Sequence, residues 1–273
     1  MLIRKLNNQK YINASGIWVR DFTKLSNNYY DINNLIKKED YSLILENEIN
    51  NNKLQELDLK RYRFRKIIII SDGFNLKSNI EKLKDIPGDV AIIGVNGILQ
   101  NWDATVKSIN FYLINNPYKE ALSFLPRKSK YYPSCLLSNR AYKEFASNYH
   151  GMCFKYCPPP QRNFGSLRTG QNFYIDDYRN PICASIVLSY YFGVEKLLLF
   201  CCDEMYNEQK DGTIKVGEHY MFPQQQLAHE IIDANLYWLK NKEENPVKTA
   251  YFGDTDYVNA QYIESVKEYF NNE

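Results

Sequence analysis

The run Ile67-Ile68-Ile69-Ile70 ends abruptly at Ser71-Asp72-Gly73. Four consecutive β-branched residues leave no polar face, which predicts a strand buried on both sides, as in a parallel sheet. Similar apolar runs recur at Val90–Gly97, Asn110–Ile114, Glu195–Asp203 and Val247–Phe252, each ending close to small or polar residues. Between them the apolar spacing becomes helical. Helices are expected from about Leu76 to Leu83 with Pro87-Gly88 as the stop, over Ile182–Phe192 with Gly193 as the cap, and over Asn259–Phe270. Another is expected over Pro223–Lys240, with Leu227, Ile231, Ile232, Leu236 and Leu239 along one face. Strand and helix in this rhythm predict βαβ units with right-handed crossovers. The expected fold is therefore α/β: Rossmann-like, with a mostly parallel sheet and helices on both faces.

Two stretches break the rhythm. Residues 1–60 are polar and Asn-rich, with a short strand around Ile17-Trp18-Val19 and a helix near Tyr41–Leu59. They read as an N-terminal extension packed on a main domain of residues 61–273. Residues 126–180 carry Pro133, Pro158-Pro159-Pro160, Gly165 and Gly170 and read as irregular. An insert of that length in a compact domain suggests a lid or acceptor region.

Composition changes this picture little. Of 273 residues, 44% are hydrophobic and 24% charged, which is ordinary for a globular chain. The net charge of +2 is too small to imply a polyanionic partner for the whole chain. The basic runs Lys60–Lys66 and Arg127–Lys130 read as solvated faces that keep a phosphate-rich partner open. The six cysteines form no zinc-type quartet, and reduced thiols in a cytoplasmic protein are expected. No run reaches the ~18 apolar residues of a membrane span.

Ligands in open α/β folds bind beyond the carboxyl ends of strands, near the point where strand order reverses. The corresponding residues here are Ser71-Asp72-Gly73, Gly94-Val95-Asn96-Gly97, Asn115-Asn116-Pro117, Asp203 and Gly253-Asp254-Thr255-Asp256. Glycine lets backbone amides approach a phosphate, while Asn and Asp can read ribose hydroxyls or a base edge. The same residues also serve ordinary turns. Neither the dinucleotide fingerprint Gly-x-Gly-x-x-Gly nor a P-loop occurs, which argues against nicotinamide dehydrogenases and P-loop kinases.

The segment Lys66–Lys77 resembles the Gly-x-Gly-Pro-Ser-Leu opening of bacterial CMP-sialic-acid-dependent sialyltransferases and of the related 6-hydroxymethylpterin pyrophosphokinase-like and flagellin-glycosylation proteins. Val95-Asn96, Asn115-Asn116-Pro117, the block Arg179–Met205 and His219-Tyr220 resemble that superfamily's later motifs in the same order, over about residues 65–260. The resemblance implies that Asp72, Gly73, Asn96 and Asn116 meet the nucleotide, with Asp203 at the end of its strand. It further implies that Tyr206 donates to the departing phosphate and that His219 takes the acceptor proton. No metal or other cofactor is implied, because tyrosine hydroxyls offset the leaving-group charge. Arg179 follows Asp176-Asp177 and either pairs with them or meets a sugar carboxylate.

Asp72, Phe74-Asn75 and Asn180-Pro181-Ile182 depart from the superfamily's usual residues, so the nucleotide or sugar is expected to differ from CMP-sialic acid. The leading expectation is an inverting, metal-independent glycosyltransferase. It would use a pyrimidine nucleotide-sugar and a glycan, protein, small-molecule or nucleic-acid acceptor. The alternatives are a pterin-type diphosphotransferase, with Mg²⁺ on Asp203, Asp254 and Asp256, and a non-catalytic nucleotide-binding protein.

Overall fold

The computed structural model describes residues 3–6, 9–14, 17–20, 40–73, 75–102, 107–126, 131–158, 175, 180–202, 207–208, 214–215, 232–253 and 257–271. Near the N-terminus, β1 (Ile3–Leu6), β2 (Gln9–Ala14) and β3 (Ile17–Arg20) form an antiparallel sheet. Helix α1 (Tyr41–Asn51) follows, ending earlier than the apolar spacing suggests.

An eight-stranded parallel sheet organises the rest. Its strands are β4 (Lys66–Ile70), β5 (Val90–Val95), β6 (Phe111–Ile114), β7 (Ser134–Ser138), β8 (Cys153–Tyr156), β9 (Lys196–Phe200), β12 (Lys248–Phe252) and β13 (Gln261–Tyr262). A separate short hairpin pairs β10 (Asn207–Glu208) with β11 (Ile214–Lys215). The main-sheet order is β13-β12-β9-β4-β5-β6-β7-β8. Ile67, Ile68, Ile69 and Ile70 are all buried because alternate side chains enter the apolar layers on the two faces of the sheet.

One layer holds α5 (Pro181–Tyr191) and α6 (232–240); the other holds α2 (Leu76–Asn79), α3 (Ile98–Asn101), α4 (Phe145–Asn148) and α7 (Val266–Asn271). Helix α5 is buried nearly all round. Its Ser185 and Ser189 hydroxyls are satisfied by donating to the carbonyls of Pro181 and Ser185, at 2.8 and 2.7 Å.

Two expectations are corrected. Within the span read as irregular, residues 134–156 contain two strands, which continue the sheet. The apolar pattern does not mark them because each is short and β8 carries Lys155. Its Nζ donates to the Asn52 carbonyl at 2.8 Å, which lets a charged residue sit in a buried strand. The outer side of β8 also pairs at Lys155 with Glu56, which follows α1. The segment read as a helix over Asn259–Phe270 begins instead with β13, parallel to β12. Its helix starts late, where the Glu268 amide donates to the Ser265 hydroxyl at 3.3 Å. No helix among the described residues is long and apolar enough to cross a membrane.

Candidate functional site at the strand-order reversal

The chain adds β5 to β8 on one side of β4, then returns to place β9 on its other side. The order therefore reverses between β4 and β9, where an open α/β sheet leaves a crevice at its carboxyl edge. Ile70 lies opposite both Gly94 and Phe200. Ser71-Asp72, Val95-Asn96 and Cys201-Cys202 thus leave the sheet side by side.

Helix α5 reaches the same edge. The Phe64 amide, just before β4, donates to the carbonyl of Phe192 at the helix's C-terminal end, 3.0 Å away. An 11-residue helix spans about 16 Å, so its N-terminus lies at the carboxyl edge. Asn180 caps it by accepting from the Ile182 amide at 2.8 Å.

Asp72 leans from the end of β4 toward β5. A Cβ on Gly97 would overlap its carboxylate. Gly97 has φ −69° and ψ 0°, a conformation open to any residue, so the absence of a side chain serves the close approach. The contact with the Ser71 hydroxyl is long, at 3.4 Å, and no ion pair to Asp72 occurs among the described residues. Burial consequently pushes the Asp72 carboxyl above its usual range. Gly73 is buried, and its carbonyl accepts from the Leu76 amide at 3.0 Å, starting α2.

Asn96 has φ 49°, in the left-handed region, and Cys201 has φ 48°. Two left-handed residues other than glycine, at the ends of the strands that flank β4, are a local strain of a kind that gathers at binding sites. The backbone of Asn96 is tied down: its amide donates to the Leu113 carbonyl at 3.2 Å, and its carbonyl accepts from the Tyr112 hydroxyl. That hydroxyl also reaches the Phe124 carbonyl at 3.1 Å. Burial pushes it well above its usual pKa, with a smaller contribution from the Asp72 charge, so Tyr112 remains a neutral donor. The side-chain Oδ1 of Asn96 is buried without a hydrogen-bond partner.

The two asparagines after β6 differ sharply. Asn116 Oδ1 accepts from the Tyr118 amide at 2.9 Å and its carbonyl accepts from the Tyr142 amide at 2.9 Å, so it holds a turn. Asn115 is buried with its Nδ2 unpartnered. Nothing in two adjacent, identical residues distinguishes these roles.

Helix α1 lies across the loops that follow β6 and β7. Asn47 Nδ2 donates to the carbonyls of Pro117 and Arg140 at 2.9 and 3.1 Å, and Asn51 Nδ2 to those of Asn139 and Ala141 at 3.2 and 2.6 Å. By covering these two strand ends, α1 shifts the ligand-accessible edge toward β9, β4 and β5.

The structure brings Asp72, Gly73 and Asn96 together at the reversal and sets Asn116 one strand further out, beneath α1. His219, Tyr206, Arg179 and Asp203 lie outside the described residues, as do Asp254, Asp256 and His229. His150 is exposed, edge-on to Tyr132 at 5.4 Å between ring centroids. No cluster of three or more His, Cys, Asp or Glu suited to a metal ion occurs among the described residues. A cavity of about 740 Å³ lies at the opposite, amino edge of the sheet, beside Lys196, Lys240, Lys248, Glu264 and Glu268. Its location separates it from the strand-end chemistry.

These features define an α/β chain with a Rossmann-like parallel sheet and a polar, strained crevice at its order reversal. The MAf glycosyltransferase from Magnetospirillum magneticum AMB-1 has a similar fold: TM-score 0.57 and 12% sequence identity, over 82% of this chain and 38% of that protein. This chain thus spans well under half the length of that neighbour, and at such identity the likeness is one of fold. No protein-family model and no curated protein matches the chain.

Proposed function

We propose that this protein is a glycosyltransferase that takes its sugar from a pyrimidine nucleotide, without a metal ion and with inversion at the anomeric carbon. The observation that carries the reading is the meeting of Asp72, the unpartnered Asn96 Oδ1 and the strained Cys201 turn at the order reversal. The fold shared with a glycosyltransferase supports it.

In this mechanism the acceptor oxygen attacks the anomeric carbon as the bond to the nucleotide phosphate breaks. His219 takes the acceptor proton, and Tyr206 donates to the departing phosphate. Imidazole suits the first task because it ordinarily titrates near neutrality. Arg179 is assigned to the sugar, with Asp203 and Asn116 at the margin of the nucleotide. The acceptor is a glycan, a protein side chain, a small molecule or a nucleobase.

A thermal-shift panel of CMP, UDP, GDP and ATP, each with and without Mg²⁺, tests the reading. A pyrimidine nucleotide alone should raise the melting temperature; at 100 times its dissociation constant it adds ~2.7 kcal/mol. A shift confined to ATP with Mg²⁺ would replace the glycosyltransferase by a diphosphotransferase. Once an acceptor is in hand, His219→Ala should cut turnover by ~10²–10⁴-fold while nucleotide affinity holds.

A further inference from the structure

Asp72 and Asn96 hold hydrogen-bond acceptors at adjacent strand ends, one a largely buried carboxylate with few donors and the other a buried amide oxygen with none. Besides a hydrogen bond from its own backbone amide, the Asp72 carboxylate has a long 3.4 Å contact from the Ser71 hydroxyl, and no ion pair to it occurs among the described residues. Asn96 Oδ1 is buried and unpartnered, on a backbone held by Leu113 and Tyr112 in a left-handed conformation. Gly97 lacks the Cβ that would displace the carboxylate. An unmet buried acceptor is costly, and a charged one more so. A ligand that satisfies both acceptors brings two donors, and adjacent strand ends favour donors close together on it. A phosphate brings none and would be repelled by Asp72.

We infer that Asp72 and Asn96 form a clamp for a vicinal diol, one hydroxyl donating to the Asp72 carboxylate and its neighbour to Asn96 Oδ1. This rests on the proposed nucleotide-sugar reading and assigns a part of the ligand to each side chain. It also places the phosphate away from Asp72, toward the α5 end of the crevice. A nucleotide-sugar carries such a diol on its ribose, and many hexoses carry one as well.

Calorimetric titration of the full chain tests the clamp. CMP and UMP are compared with their 2′-deoxy and 3′-deoxy forms, and UDP-glucose with UDP-2-deoxyglucose. Each runs against the wild type, Asp72→Asn and Asn96→Gly. Asn is isosteric with Asp, and glycine adopts the backbone conformation of Asn96 without strain, so both variants are expected to fold.

Removing one diol hydroxyl should weaken wild-type binding about tenfold, and each variant should lose a similar factor for the intact ligand. The variants should also discriminate less between intact and deoxy ligands. Discrimination in the nucleotide series places the ribose in the clamp; discrimination in the UDP-sugar pair alone places the hexose there. Binding that is equal for intact and deoxy ligands overturns the clamp and leaves the nucleotide reading standing. Failure of every nucleotide to bind overturns both. Mg²⁺ alone shifting the wild type but not Asp72→Asn would replace the diol with a metal.

Discussion

Glu48 on α1 and Arg140 after β7 form an ion pair at 2.9 Å, with their side chains only 1% and 11% exposed. The pair sits among the Asn47 and Asn51 hydrogen bonds that seat α1 across the β6 and β7 ends. Glu48→Ala would take a buried carboxylate from the Arg140 guanidinium, which should destabilise the fold by up to ~3–5 kcal/mol in urea unfolding. The double variant Glu48→Leu/Arg140→Met removes both charges and should recover much of that loss. If Glu48→Ala unfolds like the wild type, α1 is not anchored through this pair.

Asp72→Asn should change how stability depends on pH. The folded-state carboxyl titrates above its ordinary 3.8, so it binds its proton more tightly folded than unfolded. The resulting stability is fully present below about 3.8 and is lost as pH rises through the higher folded value. The variant should therefore be more stable than the wild type near neutrality, and the advantage should vanish at low pH. Parallel melting-temperature curves from pH 3 to 8 would show that Asp72 is solvated.

Gly97→Ala isolates the close approach to Asp72, because the backbone at Gly97 suits alanine. The carboxylate should swing outward into water while the fold persists. The melting temperature should then lose the pH dependence attributed to Asp72, and nucleotide affinity should fall. A variant with an unchanged pH profile and unchanged affinity would remove the need for glycine there.

Cys135 and Cys153 lie directly opposite each other on β7 and β8. Cys135 is fully buried, which pushes its thiol well above the usual value; its hydrogen bond to Cys153 pulls that half-buried thiol below the usual value. Iodoacetamide on the native protein should therefore label Cys153 before Cys135, since the thiolate is the nucleophile. Peptide mass spectrometry over time reads the order, and earlier labelling of Cys135 would contradict it.

Strands β4, β5 and β9 and helix α5 were legible in the sequence because burial on every side demands an unbroken apolar run, as in Ile67–Ile70 and Ile182–Leu188. The polar strand ends were legible for the same reason: Asp72, Asn96 and Asn116 stand where the apolar runs stop. What each does there was decided in three dimensions. Asn115 and Asn116 are identical neighbours, yet one holds a turn through Tyr118 and Tyr142 while the other is buried with its amide unpartnered. Strands β7 and β8 were hidden because Ser134, Ser138 and Lys155 break the apolar pattern, and Asn52, from a distant segment, makes the buried lysine tolerable. The reach of Asp72 over Gly97 depends on β4 and β5 lying side by side in one register. Local sequence specifies which segments must leave water, but the pairing of distant segments decides which polar groups are satisfied and which remain for a ligand.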